Sequence, residues 1–295
     1  MSYQIVEQLH KKAVVVGQVC RMLGVSRSGY YGARQRAKLG PKARLVSTQV
    51  KAEFAASGKV YGSRRLCAVL RSQGLHIGRY RVRRLMREHR LRALWRRKFV
   101  HTTDSGHALP VSSNVLARRF DPSHANQAWV SDITYIRTRS GWLYLAVVLD
   151  LYARKVVGWA MAPTMHAELV CAALQLAIAQ RQPAPGLVVH SDRGSQYASA
   201  LHQALLARHG LVGSMSRKGN CWDNAVMERF FLSLKTERVW QRDYANHAEA
   251  MTAIVEYIVA FYNSVRLHSK LGNLPPNAFE QQSAIKQPIT VSERS

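Results

Sequence analysis

The chain has 295 residues, enough for two domains, and its apolar fraction of 47% is ordinary for a protein with a packed core. Its charge is not ordinary, because 43 Lys and Arg against 17 Asp and Glu give a net charge of +26. This excess indicates a polyanionic partner, with nucleic acid the first candidate. No stretch reaches the roughly 18 apolar residues of a membrane-spanning helix, and no signal-peptide pattern is visible, so we expect a soluble cytoplasmic protein.

Positive charge is concentrated in the first part of the chain. Residues 1–120 carry 26 Lys and Arg against 4 acidic residues, whereas residues 121–295 carry 17 against 13. We therefore expect a DNA-binding region followed by a nearly balanced globular domain. The cysteines have no C-x-x-C spacing, which favours free thiols over disulfides or a zinc site. They are Cys20, Cys67, Cys171 and Cys221.

Residues 1–40 contain a pattern typical of two short helices joined by a turn. Apolar residues recur on one helical face from Val16 to Leu23, and Gly24 is expected to end that helix. Ser26 is a suitable N-cap for a second helix. The segment is predicted to be helix-turn-helix-like, and a plain helical hairpin is an equal alternative.

Residues 41–98 repeat this pattern with many more cations. One predicted helix has an apolar face from Leu66 to Leu70, and the next has one from Val82 to Met86. A helix that supports another in the major groove is a known way to bind DNA, with most contacts made to phosphates. A solvated charged face is the alternative. The predicted DNA contacts are Arg64, Arg65, Arg79, Arg83, Arg84, Arg87, Arg96 and Arg97.

The second part of the chain changes to alternating and apolar patterns. Residues 99–122 are rich in turn-forming residues and are predicted to be a linker. Residues 123–280 predict three antiparallel strands with short turns, followed by further helices and strands in the order β-β-β-α-β-α-β-α. The apolar run Leu187–His190 indicates a strand buried on both faces. A long helix is predicted at Ala248–Tyr262, and residues 281–295 are expected to be a frayed tail.

Three carboxylates fall where this order can bring them together. Asp132 lies within a predicted strand, Asp192 ends another, and Glu228 follows on a helix after 35 intervening residues. Adjacent strands would place the two aspartates side by side, and a helix over the sheet edge would bring in the longer glutamate. Two divalent ions about 3.5–4 Å apart can activate an oxygen nucleophile and neutralise a leaving oxygen. Because Mg²⁺ prefers oxygen ligands, the three acids are predicted to bind such ions.

Each acid also has a purely structural interpretation when it is taken alone. Asp132 would be an edge-strand residue, Asp192 a helix cap, and Glu228 a first-turn acid favoured by the helix dipole. The spacing of the three and the motifs around them favour the joint, metal-binding interpretation.

Other polar and aromatic residues near the acids are expected to be structural. Asp150 is interpreted as a hairpin-turn acid rather than a ligand, and His190 as structural rather than a general base. Asp223 and Asn224 are expected to cap and orient the helix that carries Glu228 rather than to bind metal. Core packing is expected for Trp129, Trp142 and Trp159, and either core packing or stacking on a base for Trp222.

The residues around the acids resemble motifs of DDE transposases, which are related to retroviral integrases. The stretch His190–Tyr197 (HSDRGSQY) resembles the family's second-carboxylate motif, and Asp223-Asn224-Ala225 followed by Glu228 resembles the third. The family uses a basic residue to hold the terminal DNA. Lys235 matches it, because seven residues advance a helix by about 700° and so return it to the face of Glu228. The resemblance thus implies a metal triad of Asp132, Asp192 and Glu228, with Lys235 as a DNA contact.

Two further stretches extend the resemblance over nearly the whole chain. Tyr262–His268, with Leu271 and Pro275-Pro276, resembles the closing motif of the second-reading-frame (OrfB) product of the IS-three insertion-sequence family. The stretch Tyr61–Leu66 resembles the helix-turn-helix of that product. The implied fold is a ribonuclease-H-like α/β core, a mixed five-stranded sheet with flanking helices, preceded by an all-α helix-turn-helix region.

The resemblance also implies an activity and partners. A DNA transposase of this kind uses two Mg²⁺ (or Mn²⁺) ions: water frees a 3′-OH at the transposon end, and that hydroxyl attacks target DNA. The implied partners are double-stranded DNA (terminal inverted repeats and target), further copies of the chain, and a first-frame (OrfA) segment, in the bacterial cytoplasm. A ribonuclease-H-type nuclease and a non-catalytic DNA-binding regulator of transposition are the alternatives. The basic N-terminal region argues against the first, and the intact acid set argues against the second.

Overall fold

The computed structural model describes residues 2–37, 41–94, 111–217 and 221–286. The chain divides into two units, Met1–Ala93 and Leu94–Ser295. Each unit has apolar cores of its own. The predicted DNA contacts Arg96 and Arg97 and the side chain of Trp222 lie outside the described residues.

The first unit begins with three short helices. They are α1 (Ser2–Lys11), α2 (Val16–Met22) and α3 (Arg27–Ala37). Gly24 has a φ of +62°, which ends α2 as predicted. Ser26 Oγ accepts a hydrogen bond from the Gly29 amide at 3.0 Å, so the predicted N-cap is confirmed. Helix α1 was not predicted, and its Val6 is fully buried against Val19 and Tyr30.

A second group of three helices completes the first unit. They are α4 (Pro41–Ala56), α5 (Ser63–Ser72) and α6 (Arg79–Glu88). The predicted apolar face of α6 is confirmed, since Val82, Leu85 and Met86 are all buried. On α5 the buried face includes Cys67, whereas Val69 is only half-buried. The predicted pair of helices is therefore present, supported by α4, which the sequence pattern did not predict.

The second unit is built on a five-stranded sheet. Its strands are β1 (Ala128–Thr138), β2 (Gly141–Asp150), β3 (Lys155–Ala162), β4 (Val188–Ser191) and β5 (Val212–Met215), in the spatial order β3-β2-β1-β4-β5. Strands β1, β2 and β3 pair antiparallel, whereas β4 pairs parallel with both β1 and β5. This confirms the predicted element order and the mixed, ribonuclease-H-like sheet.

Helices cover both faces of this sheet. They are α7 (Ala167–Arg181), α8 (Ser195–Ala198), α9 (Ala200–Arg208), α10 (Ala225–Glu237), α11 (His247–Glu256) with its π-helical continuation Tyr257–Tyr262, and α12 (Pro276–Lys286). One core packs α10 and α11 against one face, and the other packs α7 and α9 against the opposite face. A Cβ at Gly158 would lie 2.2 Å from the Ala173 carbonyl oxygen, so only glycine lets α7 pack this closely on β3.

Strand β3 forms one edge of the sheet, and a side chain closes this edge. The Asn263 amide donates to the Val156 carbonyl at 2.9 Å and accepts from the Val156 N–H at 3.0 Å. These two bonds satisfy backbone groups that a further strand would otherwise pair with. Asn263 lies in the Tyr262–His268 stretch, so the motif has a structural purpose here.

Three expectations differ from the structure. The predicted linker does not extend to residue 122, because Leu116 is buried in the core and its amide donates to Ser214 Oγ at 3.1 Å. The predicted tail is helical at its start, since α12 continues to Lys286. Trp142 is 46% exposed at the start of β2, so its core assignment is wrong, while Trp129 is fully buried and Trp159 is partly buried against the core.

Candidate active site

Strand register brings Asp132, on β1, side by side with Asp192, which directly follows the neighbouring strand β4. In the parallel β1–β4 pair, Ala128 lies opposite Val188 and Val130 opposite His190. The same register continued by two residues places position 132 opposite position 192. Both carboxylates are fixed locally, since Asp132 Oδ1 accepts from the Ile133 amide at 2.8 Å and Asp192 Oδ1 from the Gly194 amide at 2.9 Å.

Glu228 comes from a helix on one face of the sheet. It lies in the first turn of α10 and is exposed. An adjacent side of α10 is held in the core by Met227, Phe231 and Leu234, all of which are buried. Glu228 thus lies at the margin of the buried side of α10, and five residues before it the buried Asp223 marks where the chain enters the helix.

The three acids act on one another electrostatically. Burial is the main cause that raises the pKa of Asp132 well above its usual range, and the negative charge of Asp192 raises it further. The Ile133 amide opposes this rise, Glu228 adds to it, and the positive charge of Lys235 opposes it. Among the residues that the structure describes, no three His, Cys, Asp or Glu side chains are close enough to hold one metal ion between them. The negative charges of Asp192 and Glu228 therefore both act on Asp132.

Lys235 occupies an inner position on α10 and not an exposed one. It is 5% exposed, and its Nζ lies 4.5 Å from the centre of the Tyr135 ring on β1. Burial lowers the pKa of Lys235, and the negative charge of Asp132 opposes that shift. The ammonium group thus lies on the β1 side of the helix, within the electrostatic influence of Asp132.

Asp223 and Asn224 make contacts that orient the start of α10, as predicted, but the predicted side-chain cap is absent at Asn224. Asn224 occupies the N-cap position but makes no side-chain cap bond. Its Nδ2 instead donates to the Ser131 carbonyl at 3.4 Å, which ties the start of α10 to the residue before Asp132. Asp223 accepts hydrogen bonds from side chains that lie far from it in sequence. Both residues fix the start of the helix, by contacts that short-range sequence patterns do not reveal.

The structural interpretations of His190 and Asp150 agree with their surroundings. His190 is fully buried between Ser214 Oγ at 2.9 Å and Ser216 Oγ at 3.2 Å, and burial lowers its pKa to about 4. Asp150 accepts from the Asn126 and Tyr152 amides, both at 2.8 Å. Asp150 pairs in register with Trp129, which lies three residues before Asp132 on β1.

Two residues close to the acids were missed as candidates. Tyr197 is buried, and its hydroxyl lies 3.0 Å from Ser131 Oγ. Burial raises the pKa of Tyr197 well above its usual range, and the negative charges of Asp132 and Asp192 raise it further. The sequence could have indicated both residues, because Ser131 directly precedes Asp132 and Tyr197 ends the second-carboxylate motif.

The predicted DNA contacts of the first unit are on an accessible surface. Four of them lie along α6, and all four are exposed; Arg84 also pairs with Glu88 at 3.5 Å. Arg65 is half-buried, and its guanidinium lies 5.5 Å from the centre of the Tyr61 ring. The exposed set is Arg64, Arg79, Arg83, Arg84 and Arg87.

Within the described part of the chain, no helix is long and apolar enough to span a membrane.

Models of known protein families match the first and the second part of the chain separately. Residues 42–99 match the family described as HTH-like domain. Residues 122–221 and residues 209–276 each match a family described as Integrase core domain. The first match contains α5 and α6, and the other two together contain Asp132, Asp192 and Glu228.

Full-length relatives and solved structures show similarities as well. Among solved structures, the simian T-cell lymphotropic virus intasome with PP2A regulatory subunit B56 gamma aligns with 79% of this chain and 74% of its own, at 14% identity and a TM-score of 0.46. The IS600 uncharacterized 31 kDa protein of Shigella sonnei is 44% identical over 90% of this chain and 98% of its own length. Transposase InsF for insertion sequence IS3A of Escherichia coli K12 is 42% identical over 96% and 99%. With such relatives matched over nearly their full length, the chain belongs to the IS3 family of insertion-sequence transposases and is a DDE-type DNA transposase.

Proposed function

We propose that this transposase cleaves the 3′ ends of its insertion sequence and joins them to target DNA, with Asp132, Asp192 and Glu228 as catalytic carboxylates. One observation carries the proposal: Asp132 lies on β1, Asp192 directly after β4 and Glu228 on α10, yet the negative charges of Asp192 and Glu228 both raise the pKa of Asp132. Like charges close to a half-buried carboxylate make its ionisation unfavourable. A bound cation would relieve this repulsion, so the arrangement favours a cation-binding site.

The donor set fits two Mg²⁺ or Mn²⁺ ions. Asp132 is held by β1 and Asp192 by its turn, whereas Glu228 is long and exposed. A change of side-chain rotamer in Glu228 can therefore carry its carboxylate towards the other two. A set of three carboxylates suits Mg²⁺, which prefers oxygen ligands, keeps several waters and takes few protein carboxylates.

The proposed reaction has two steps at phosphorus. The oxygen of a water attacks the phosphodiester at the transposon end, the bond between phosphorus and the 3′ oxygen breaks, and a free 3′-OH results. That hydroxyl oxygen then attacks a target phosphodiester, and the target's own 3′ oxygen leaves. Bound divalent ions would supply an activated oxygen nucleophile and a neutralised leaving oxygen. Asp132, Asp192 and Glu228 would hold these ions, and no covalent bond to the protein is needed.

We propose that the first unit holds the double-stranded DNA ends. The support is the HTH-like match together with the exposed cations on α6. Lys235 is a proposed contact for the terminal DNA, because a phosphate that reaches Asp132 also comes near its ammonium group. The full set of proposed contacts is Arg64, Arg65, Arg79, Arg83, Arg84, Arg87, Arg96, Arg97 and Lys235.

The proposed assembly contains more than one copy of the chain. An insertion sequence has two ends, and each chain supplies one set of Asp132, Asp192 and Glu228, so joining both ends calls for at least two chains on the DNA. We propose the first-frame (OrfA) segment as a further partner, on the basis of the family resemblance.

Glu228→Gln tests the proposed function. Gln keeps the size of the side chain and removes the charge needed to hold a divalent ion, so cleavage and joining should fall by at least a hundredfold while DNA-end binding stays unchanged. The measurements are cleavage of uncut transposon ends and strand joining of pre-cut ends, both in Mg²⁺, beside a gel-shift assay. Glu168→Gln is the matched control, since Glu168 is also an exposed first-turn acid, on α7.

Three outcomes are informative. Joining lost in Glu228→Gln and kept in Glu168→Gln supports the proposal. Cleavage without joining in the parent protein would indicate a nuclease. Joining that survives Glu228→Gln would remove Glu228 from the catalytic set.

A further inference from the structure

We propose that Asp223 is a positioning residue for Glu228. Its hydrogen bonds to Arg217, Arg118 and Asn114, here called the Asp223 clasp, join the start of α10 to two other segments and so fix the position of the Glu228 carboxylate. This inference rests on the proposed catalytic role of Glu228. Asp223 itself is fully buried and lies five residues before Glu228, so it acts through the helix and does not touch the reacting atoms.

Both carboxylate oxygens of Asp223 are occupied by nitrogen donors. Arg217 donates to it from its backbone amide at 3.0 Å and from its guanidinium at 3.1 Å to each oxygen. Arg118 Nε donates to Oδ1 at 2.8 Å, and Asn114 Nδ2 donates to Oδ2 at 2.9 Å. These bonds are charge-assisted, and the guanidinium of Arg217 is the main cause that holds the pKa of Asp223 far below its usual range.

The donors come from two segments that are themselves anchored to the sheet. Arg217 follows β5, where the Ser216 amide donates to the Ser191 carbonyl at 2.9 Å, one residue before Asp192. Asn114 and Arg118 flank the buried Leu116, whose amide is bonded to Ser214 on β5. Asp223 thus ties the entry of α10 to the β4–β5 side of the sheet, the side that ends at Asp192.

Two further contacts leave α10 little freedom to slide or rotate. Next to Asp223, Asn224 is bonded to the Ser131 carbonyl on β1. At the other end of the helix, Glu237 receives the guanidinium of Arg266 at 2.7 Å and the Tyr257 hydroxyl at 2.7 Å. Because the Glu237 contacts hold only the far end of α10, loss of the Asp223 hydrogen bonds would loosen its first turn, which carries Glu228.

The test is Asp223→Asn, with Asp150→Asn as the matched control. Asp150 is equally buried, accepts backbone N–H bonds from Asn126 and Tyr152 and pairs with Arg181, and these three partners lie outside α10 and outside the segments that hold Asp223. Partners that orient metal ligands are typically worth about 10–100-fold in metal affinity or activity. We expect the Mn²⁺ concentration for half-maximal joining to rise by roughly tenfold or more in Asp223→Asn and to stay unchanged in Asp150→Asn.

A second, milder variant guards against simple misfolding. Asn114→Ala removes one donor from the clasp and leaves both arginines, so its Mn²⁺ requirement should rise in the same direction but less. DNA-end binding should be unchanged in all three variants, with thermal unfolding measured for each. The proposal is overturned if the Mn²⁺ requirement of Asp223→Asn does not change, or if Asp150→Asn shifts it equally. Failure of Glu228→Gln to lose joining would instead count against the proposed function itself.

Discussion

At the scale of single residues, burial raises the pKa of both Asp132 and Asp150, yet their neighbours differ. The next cause for Asp132 is the carboxylate of Asp192, which makes ionisation harder still. The next causes for Asp150 are two backbone N–H donors, which favour the charged form. A buried acid that accepts hydrogen bonds from nearby donors has a structural role. A buried acid that lies beside other acids is a candidate for binding a cation.

The buried pair of Arg266 and Glu237 gives a prediction about stability. Their side chains are 7% and 6% exposed, so Arg266→Met leaves a buried charge without its partner and should cost about 3–5 kcal/mol. Denaturant unfolding followed by tryptophan fluorescence measures this for the second unit, because all six tryptophans lie at position 95 or later.

Two further variants sharpen this stability test. Arg139→Met breaks the exposed pair with Asp243 and should cost no more than about 1 kcal/mol. Adding Glu237→Gln to Arg266→Met should recover part of the loss, because the glutamine is neutral and can still accept from Tyr257. If Arg266→Met and Arg139→Met lowered the free energy of unfolding equally, the buried pair would have no special stabilising role.

At the scale of elements, α6 combines a buried apolar face with an exposed cationic one. If the exposed face binds phosphates, Arg83→Ala and Arg84→Ala should each weaken binding of DNA ends and make its dependence on salt shallower, by about one ion for each phosphate that is no longer neutralised. Gel-shift titrations of the full chain between low and moderate salt measure this slope. Arg208→Ala, at an exposed site on α9, is the control. An unchanged slope would show that the two arginines do not bind phosphates.

The elements that sequence patterns predicted best are those with regular burial. The three antiparallel strands and α6 were found because their buried residues repeat at strand or helix spacing. Helices α1 and α4 were missed because each buries few residues, such as Val6 or Val50 and Phe54. Trp142 was misplaced because strand alternation continues to the start of β2, where its ring packs on Tyr135 but stays partly exposed.

Of the candidate site, the sequence predicted the identities of the acids but not their supports. Asp132 and Asp192 could be placed side by side because adjacent strands fix the register. The partners of Asp223 could not be predicted, since Arg118 and Asn114 precede it by 105 and 109 residues. Pairings over such separations depend on the complete fold, and no local spacing encodes them.

At the scale of the whole molecule, charge and chemistry are divided along the chain. Residues 1–120 carry most of the excess positive charge, whereas the three acids lie between residues 132 and 228. Electrostatic attraction to phosphates is strong but insensitive to sequence and to the chemical step. The division lets a strongly basic region bind DNA while the second unit keeps a local cluster of negative charge for cations.

The most direct test of this account is a crystal structure of the transposase bound to pre-cut transposon ends and soaked with Mn²⁺, read for anomalous scattering. The account predicts two peaks between the carboxylates of Asp132, Asp192 and Glu228, with Asp223 still bonded to Arg217 and Arg118. Ends engaged in the complex with manganese bound elsewhere, or with any of the three carboxylates directed away from the metal, would contradict it.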